Sequence, residues 1–277
     1  MVEDVSAHLT FTFTFWYPTY VATPLNVALW TIAVEMQFYL IFPLLGRAMQ
    51  KKPLLTAGAM MAVAWIYRGC VAAFAEDTNI LINQLPALLD VYALGFLGAT
   101  AFVRIRLLLQ KSDRISRLAL YVAACSLFVV GFEVLKYLLR VQSSAGVQGY
   151  EQLRLTQMAI RLPLALTLIT MMLSASFAPR FLQKLLDNRL MRFLSTISFN
   201  LYIWHQVLAV EMRKAWFPDT DALHNDPRLK WAYMTLCIAV AIVVAMIMTY
   251  GLEQPAAKGL DKLRKAVRRR YHERSAH

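Results

Sequence analysis

From Met234 to Met248 the chain runs without a single charged side chain, and several other stretches are almost as apolar. Segments of this kind are not left facing water, and a helix that crosses a bilayer needs about 20 predominantly apolar residues. About seven stretches meet that requirement, with approximate limits 26–45, 54–75, 85–103, 118–139, 157–176, 191–211 and 230–252. Barrel strands would show ten-residue apolar/polar alternation, which these runs lack. The expected fold is therefore all-α: a polytopic transmembrane helical bundle. Hydrophobic residues make up 58% of the 277 positions and charged residues 17%, which is too oily for a soluble domain of this length.

The formal charge of +12 invites a nucleic-acid reading, but its distribution argues against nucleic acid as a partner. Arg47, Lys51 and Lys52 follow the first apolar stretch. Arg104, Arg106, Lys111, Arg114 and Arg117 lie between the third and fourth, and Arg180, Lys184, Arg189 and Arg192 precede the sixth. Lys258, Lys262, Arg264, Lys265, Arg268, Arg269, Arg270 and Arg274 fill the tail. Alternate loops are thus basic, and the positive-inside rule puts them and the C-terminus in the cytoplasm and the N-terminus outside. Loop 76–84 carries Glu76 and Asp77 and no Lys or Arg, as an outer loop should; loop 212–229 is mixed, with Asp219, Asp221 and Asp226 beside Arg213, Lys214 and Arg228.

With no repeat and no low-complexity linker, the chain reads as one bundle over residues 1–255 and a basic cytoplasmic tail over 256–277. Residues 8–24, aromatic but short and interrupted by Pro18 and Pro24, read as an outer loop feeding the first helix. In the tail, Leu260, Leu263 and Val267 recur at helical spacing among Lys and Arg, the pattern of an amphipathic helix lying on an anionic leaflet. The start, Met-Val-Glu-Asp-Val, lacks the basic region of a signal peptide. Cys70, Cys125 and Cys237 each stand alone within a predicted span and read as small core residues; no metal site is expected.

The stretch Trp30 to Pro43, WTIAVEMQFYLIFP, places Glu35 and Gln37 inside a predicted span. An ionisable group there is costly unless it meets a partner or a wet cavity, so Glu35 is a functional candidate by default. Counted from Asn26 at 1.5 Å per residue, it lies roughly 13 Å in. Thr31, Glu35, Phe38, Tyr39 and Phe42 share a helical face, whereas Gln37 points about 200° away and should meet a different neighbour. A second constellation lies in FLSTISFNLYIWHQ, Phe193 to Gln206, where Ser195, Ser198, Tyr202 and His205 form a polar stripe. His205 is roughly 9 Å from the outer end of its span, so a carboxylate and an imidazole at comparable depth are available as an acid/base or proton-relay pair. Asp90 and Arg161 could pair with each other or line the cavity, and Glu133, Lys136 and Arg140 could pair along their own helix. Glu253 and Pro255 mark the inner end of the last span.

These motifs resemble those of the membrane-bound acyltransferase 3 family. WTIAVEMQFYLIFPLL, Trp30 to Leu45, is similar to the family's WSLSVEEQFYLLFPLL; ISFNLYIWHQ, Ile197 to Gln206, to its ISYSLYLWH; and TYGLEQPAAK, Thr249 to Lys258, to its last helix ending in IERP. Met36 stands where the family often has a second Glu. Family members also carry about three or four helices ahead of this region, with an Arg or Lys followed some ten residues on by the proposed catalytic His. That His has no counterpart here, since His8 corresponds to the segment just before the Trp30 helix.

The resemblance implies a multi-pass protein of a bacterial inner membrane that transfers an acyl group, acetyl above all, from acyl-CoA to a hydroxyl of a cell-surface carbohydrate such as lipopolysaccharide. No cofactor beyond the donor acetyl-CoA or other acyl-CoA is implied, and the partners are that donor, a carbohydrate acceptor and the lipid bilayer. Glu35 and His205 are the implied catalytic residues, and Trp30, Gln37, Tyr39, Ser198 and Tyr202 would line the substrate cavity. The basic inner loops, Arg104 to Arg117 above all, would meet the phosphates of CoA. The alternatives are an inactive remnant and a proton-coupled transporter using Glu35 and His205.

Overall fold

The computed structural model describes residues 2–23, 26–110, 113–217 and 226–275, the side chains of Val27, Arg114 and residues 266–275 excepted. Lys111, Asp219 and Asp221 lie outside the described residues, as do the side chains of Arg114, Val267, Arg268, Arg269, Arg270 and Arg274. The described residues form helices and connecting turns, with no strand among them. The chain divides into two compact units, Met1–Leu186 and Asp187–His277, so the residues expected to form a separate tail belong to the second unit.

The first unit opens with α1 (Val2–Leu9), a 3-10 turn (Phe13–Phe15) and α2 (Tyr17–Tyr20). This is the stretch expected to be a plain outer loop. It folds because its aromatic residues find a core: Phe13 and Tyr20 are buried with Ala33, and Trp30 packs against them. His8 stacks on Phe13 at 4.0 Å, and its Nδ1 is 2.9 Å from the Asp4 carbonyl. The chain leaves α1 through Phe11 at φ 57°, where the Thr12 amide donates to the Ala7 carbonyl at 2.9 Å. That is a helix stop usually built on glycine; here the ring's packing against the same core compensates for the strained backbone.

Four span-length helices follow closely: α3 (Trp30–Lys51), α4 (Pro53–Phe74), α5 (Leu89–Gln110) and α6 (Arg114–Gln148); α7 (Tyr150–Phe177) and the short α8 (Arg180–Leu186) complete the unit. Pro53 starts α4 at the position where a missing N–H costs nothing. Asp113 caps α6 by accepting from the Ser116 amide at 3.1 Å, and the hydrogen bonds from Ser116 hold its carboxyl below the usual range. Gly149, at φ 129°, makes the tight reversal from α6 into α7. Phe38, Met49, Ala57, Met60 and Ala93 join α3, α4 and α5 in a core in which Phe38 stacks on Tyr92 at 3.7 Å.

The second unit contains α9 (Arg189–Trp216), α10 (Pro227–Met248), a π-helical turn (Thr249–Glu253) and α11 (Gln254–Ser275). Asn188 caps α9 by accepting from the Met191 amide, and Asp226 caps α10 by accepting from the Arg228 amide. The Tyr233 hydroxyl donates to the Ala209 carbonyl at 2.9 Å, tying α10 to α9.

Among the described residues six helices are long and apolar enough to cross a membrane: α3, α4, α5 with its 3-10 lead-in, α6, α7 and α10 running into α11. Their outward faces are greasy, with Leu40 82%, Leu54 78% and Phe74 83% exposed, which is what lipid contact requires and water would penalise. The expected span 191–211 forms α9, with 28 residues, but its serines, Thr196, Asn200 and His205 leave it too polar to meet the same criterion. Cys70 is exposed, contrary to its expected place in the core, while Cys125 and Cys237 are partly buried.

Helix packing gives a first test. A Cβ added to Gly98 of α5 would lie 2.9 Å from the Ile169 Cδ1 of α7, and a branched side chain has few ways to retreat. Gly98→Leu is expected to cost about 1–3 kcal/mol, seen as a lower unfolding temperature in detergent, whereas Gly46→Ala, which meets nothing within 4 Å, leaves that temperature unchanged or raises it.

Candidate active site

In the first unit the candidate residues divide between two sides of α3. Gln37 turns toward the segment before the helix, where its Nε2 donates to the Thr14 Oγ1 at 3.4 Å. Thr14 is fully buried, and its carbonyl accepts from the Gln84 Nε2 at 2.7 Å. Gln37 is therefore a fastening between α3 and the 3-10 turn before it, on the side away from Glu35 as helical geometry expected. Trp30 belongs to the same packed region.

Glu35 and Tyr39 lie on the other side and are exposed, Tyr39 to 59%. Both are close enough to Tyr92 of α5 to act on it electrostatically. Below them Phe42 stacks on Phe96 at 5.7 Å, so a carboxylate and two phenol rings stand at the upper end of an aromatic seam between α3 and α5. The expected depth needs correction. Because α3 begins at Trp30, not Asn26, Glu35 lies about 8 Å from the helix start, and the side chain is uncovered where burial was expected.

Farther along the same seam, Phe42, Pro43, Arg47, Gln50, Thr100 and Arg104 line a cavity of about 550 Å³ between α3, α4 and α5. Pro43 interrupts the α3 hydrogen-bond ladder beside it, and two guanidinium groups face one space. Sequence reasoning singled out Arg104 but gave Arg47 only a topological role.

The deepest polar cluster of the unit was not foreseen as it stands. Asp90 is fully buried and pairs with Arg68 of α4, not with Arg161: Arg68 Nη2 reaches Asp90 Oδ2 at 2.5 Å and Nη1 reaches Oδ1 at 3.0 Å. The same Nη1 donates to the Ala87 carbonyl at 2.9 Å. Arg161 of α7 instead donates to the Ile82 carbonyl and, at 2.8 Å, to Asn83 Oδ1, and Asn83 in turn donates to the Tyr20 hydroxyl at 2.7 Å. Sequence reasoning passed over Arg68, although a lone charge inside the predicted span 54–75 is the same signal that singled out Glu35. Glu133 and Lys136 do pair along α6, at 2.7 Å; Arg140 has no ion pair among the described residues.

In the second unit Ser195, Ser198, Tyr202 and His205 are all exposed along one side of α9, the stripe that their spacing predicts. Ser198 Oγ donates to the Ser195 carbonyl at 2.8 Å, and the Tyr202 and His205 rings are 5.7 Å apart. His205 Nδ1 is 2.7 Å from the Tyr202 carbonyl, which can only accept, so Nδ1 is the donor and in the neutral ring Nε2 carries the lone pair. A free ring nitrogen of this kind is what a general base needs. Measured from the end of α9 at Trp216, His205 is about 17 Å along the helix, farther than the expected limit at 211 implied.

The opposite side of α9 holds a node that sequence reasoning passed over. Asn200 is buried, and its Nδ2 donates to Thr249 Oγ1 at 2.9 Å and to Glu253 Oε2 at 2.6 Å. The π turn supplies both acceptors, and such turns often occur at functional sites. Glu253, expected to be a boundary residue, is a hydrogen-bond partner as well. No group of three or more His, Cys, Asp or Glu among the described residues could hold a metal ion.

Two stability outcomes follow from the buried polar groups. Asp90→Ala strands a buried guanidinium and is expected to cost about 3–5 kcal/mol, whereas the double change Arg68→Met with Asp90→Leu recovers most of that loss; unfolding in detergent reads both. Asn200→Ala leaves the buried Thr249 hydroxyl without its partner and is expected to cost about 1–3 kcal/mol by the same measurement.

A family model described as an acyltransferase domain matches residues 4–250, nearly the whole chain. No curated protein and no solved structure gives a significant match. The matched region contains the α3 and α9 motifs, five of the six helices of membrane-spanning character in full, and α10 of the sixth. This multi-pass helical chain belongs to the acyltransferase 3 family of membrane acyltransferases.

Proposed function

We propose that the protein is an O-acyltransferase of a bacterial inner membrane, moving an acyl group, acetyl in the simplest case, from acyl-CoA to a hydroxyl of a cell-surface carbohydrate. The observation that carries this reading is the layout of α3. Glu35 stands exposed at one end of the aromatic seam, and Arg47, facing Arg104 across a cavity, lies 12 residues on, about 18 Å along the helix. That distance suits the extended pantetheine arm of a CoA thioester. With the basic loops inside, the guanidinium pair meets the donor's phosphates from the cytoplasm, and the thioester reaches toward Glu35 and Tyr39.

The chemistry asks for few groups. The acceptor oxygen attacks the thioester carbonyl and gives up its proton, the C–S bond breaks, and the thiolate leaves and is protonated. His205, held as the Nδ1–H tautomer, has the free Nε2 lone pair that takes a hydroxyl proton. The Glu35 carboxylate orients the acceptor hydroxyl. Tyr39, Tyr202 and Ser198 supply hydrogen bonds to a sugar, while Trp30 and Gln37 hold the entry segment in place.

The test is transfer of labelled acetyl from acetyl-CoA to a cell-envelope glycan by the purified chain. Glu35→Gln and His205→Ala are each expected to lower kcat about 10²-fold or more without loss of folded protein. Arg47→Ala and Arg104→Ala should instead raise KM for the donor. Transfer that persists undiminished in both the Glu35 and His205 variants, or the absence of any transfer by the parent, would sink the proposal.

A further inference from the structure

A second cavity, of about 380 Å³, lies between α4 and α7, away from the α3 seam. Its walls are Trp65, Ala72, Leu155, Met158 and Leu162, with Gly69 and Arg68 facing it from α4. Pro163 explains why it exists. Without an N–H it cannot close the helical bond to the Ala159 carbonyl, and its ring crowds the preceding turn, so α7 is not drawn tightly onto α4 there. Gly69, opposite, adds no side chain to fill the gap, and a Cβ at that position would meet nothing within 4 Å.

The cavity is apolar except at one point, and that point is charged. Arg68 spends Nη1 and one hydrogen of Nη2 on Ala87 and Asp90. Its Nε–H and the second Nη2 hydrogen have no protein acceptor among the described residues. Arg161 lies near enough to act on Arg68 electrostatically and has only neutral oxygens as hydrogen-bond partners. Two guanidinium groups therefore share one buried carboxylate, a surplus of one positive charge inside a bundle of membrane-spanning length. Buried charge of this kind is costly without a counter-ion.

We infer that the α4–α7 cavity holds the phosphate of a membrane lipid, with the headgroup phosphate on Arg68 and an acyl chain along Trp65, Leu155 and Leu162. A phosphate accepts from the unused guanidinium hydrogens and neutralises the surplus charge. A lipid suits the walls better than a soluble anion does, because Trp65, one of the lining residues, is 57% exposed on a helix long and apolar enough to cross a membrane. Arg68 is six residues from the end of α4, about 9 Å in, so a bound headgroup is drawn below its usual level. The inference does not depend on acyl transfer.

Native mass spectrometry of the purified full chain in detergent provides the test, with phosphatidic acid, diacylglycerol of the same acyl chains and inorganic phosphate as probes. Phosphatidic acid is expected to bind at least about tenfold more tightly than diacylglycerol, as a charge-assisted hydrogen bond demands, and millimolar inorganic phosphate should not displace it. Gly69→Leu and, from the other wall, Ala159→Leu fill the cavity and leave the Arg68–Asp90 pair untouched. Each folded variant should lose at least about tenfold in phosphatidic acid affinity. Equal binding of the two lipids, unaltered binding by the folded variants, or inorganic phosphate competing as well as the lipid would overturn the inference.

Discussion

The Arg68–Asp90 ion pair is the contact on which the first unit is organised. Asp90 opens α5 and is wholly inaccessible, so its charge is tolerable only because a guanidinium from α4 meets both oxygens. The Val91 amide adds a third donor, and the hydrogen bond from Arg68 to the Ala87 carbonyl fixes the 3-10 lead-in. Once that lead-in is set, Gln84, Asn83 and Ile82 fall into place as partners for Thr14, Tyr20 and Arg161. A single charged contact thereby registers α4, α5 and α7 against the N-terminal segment. Apolar packing between helices in lipid is poor at setting register, because lipid solvates one apolar face as well as another.

The spans themselves were legible because their signal is one-dimensional: length and continuous apolarity decide whether a helix suits a bilayer. Expected limits such as 54–75 and Pro53–Phe74 agree closely. Two classes of feature were not legible. The segment before α3 was read as a loop because no run in it is long enough to span, yet Phe13, Thr14 and Tyr20 fold it by burying against α3 and the loop before α5, contacts remote in sequence. Pairing of charges was hidden for the same reason. Asp90 and Arg161 both stand out within apolar runs, but the true partner of Asp90 depends on which helix lies beside α5.

The candidate site shows the same division. Helical phase alone separates Gln37 from Glu35 and groups Ser195, Ser198, Tyr202 and His205, and the structure agrees on both points. Depth did not follow, because it is counted from helix ends, and α3 starts four residues later than Asn26 while α9 runs on to Trp216. The Asn200, Thr249 and Glu253 node was out of reach for a different reason. A π turn changes which residues share a side of the helix, and nothing in TYGLE announces one.

That turn has a further consequence for the tail. Five residues of π geometry insert about one residue relative to an uninterrupted α-helix, a rotation of roughly 100° at 3.6 residues per turn. The compass bearing of Leu260 and Leu263, both exposed on α11, is therefore set upstream, at the point where Asn200 grips Thr249 and Glu253. The polar node is in this sense a phase adjuster. It decides which way the leucine flank of the basic helix faces and which way the lysine flank does, so a single-residue deletion there would turn the whole amphipathic ribbon without altering one residue of it.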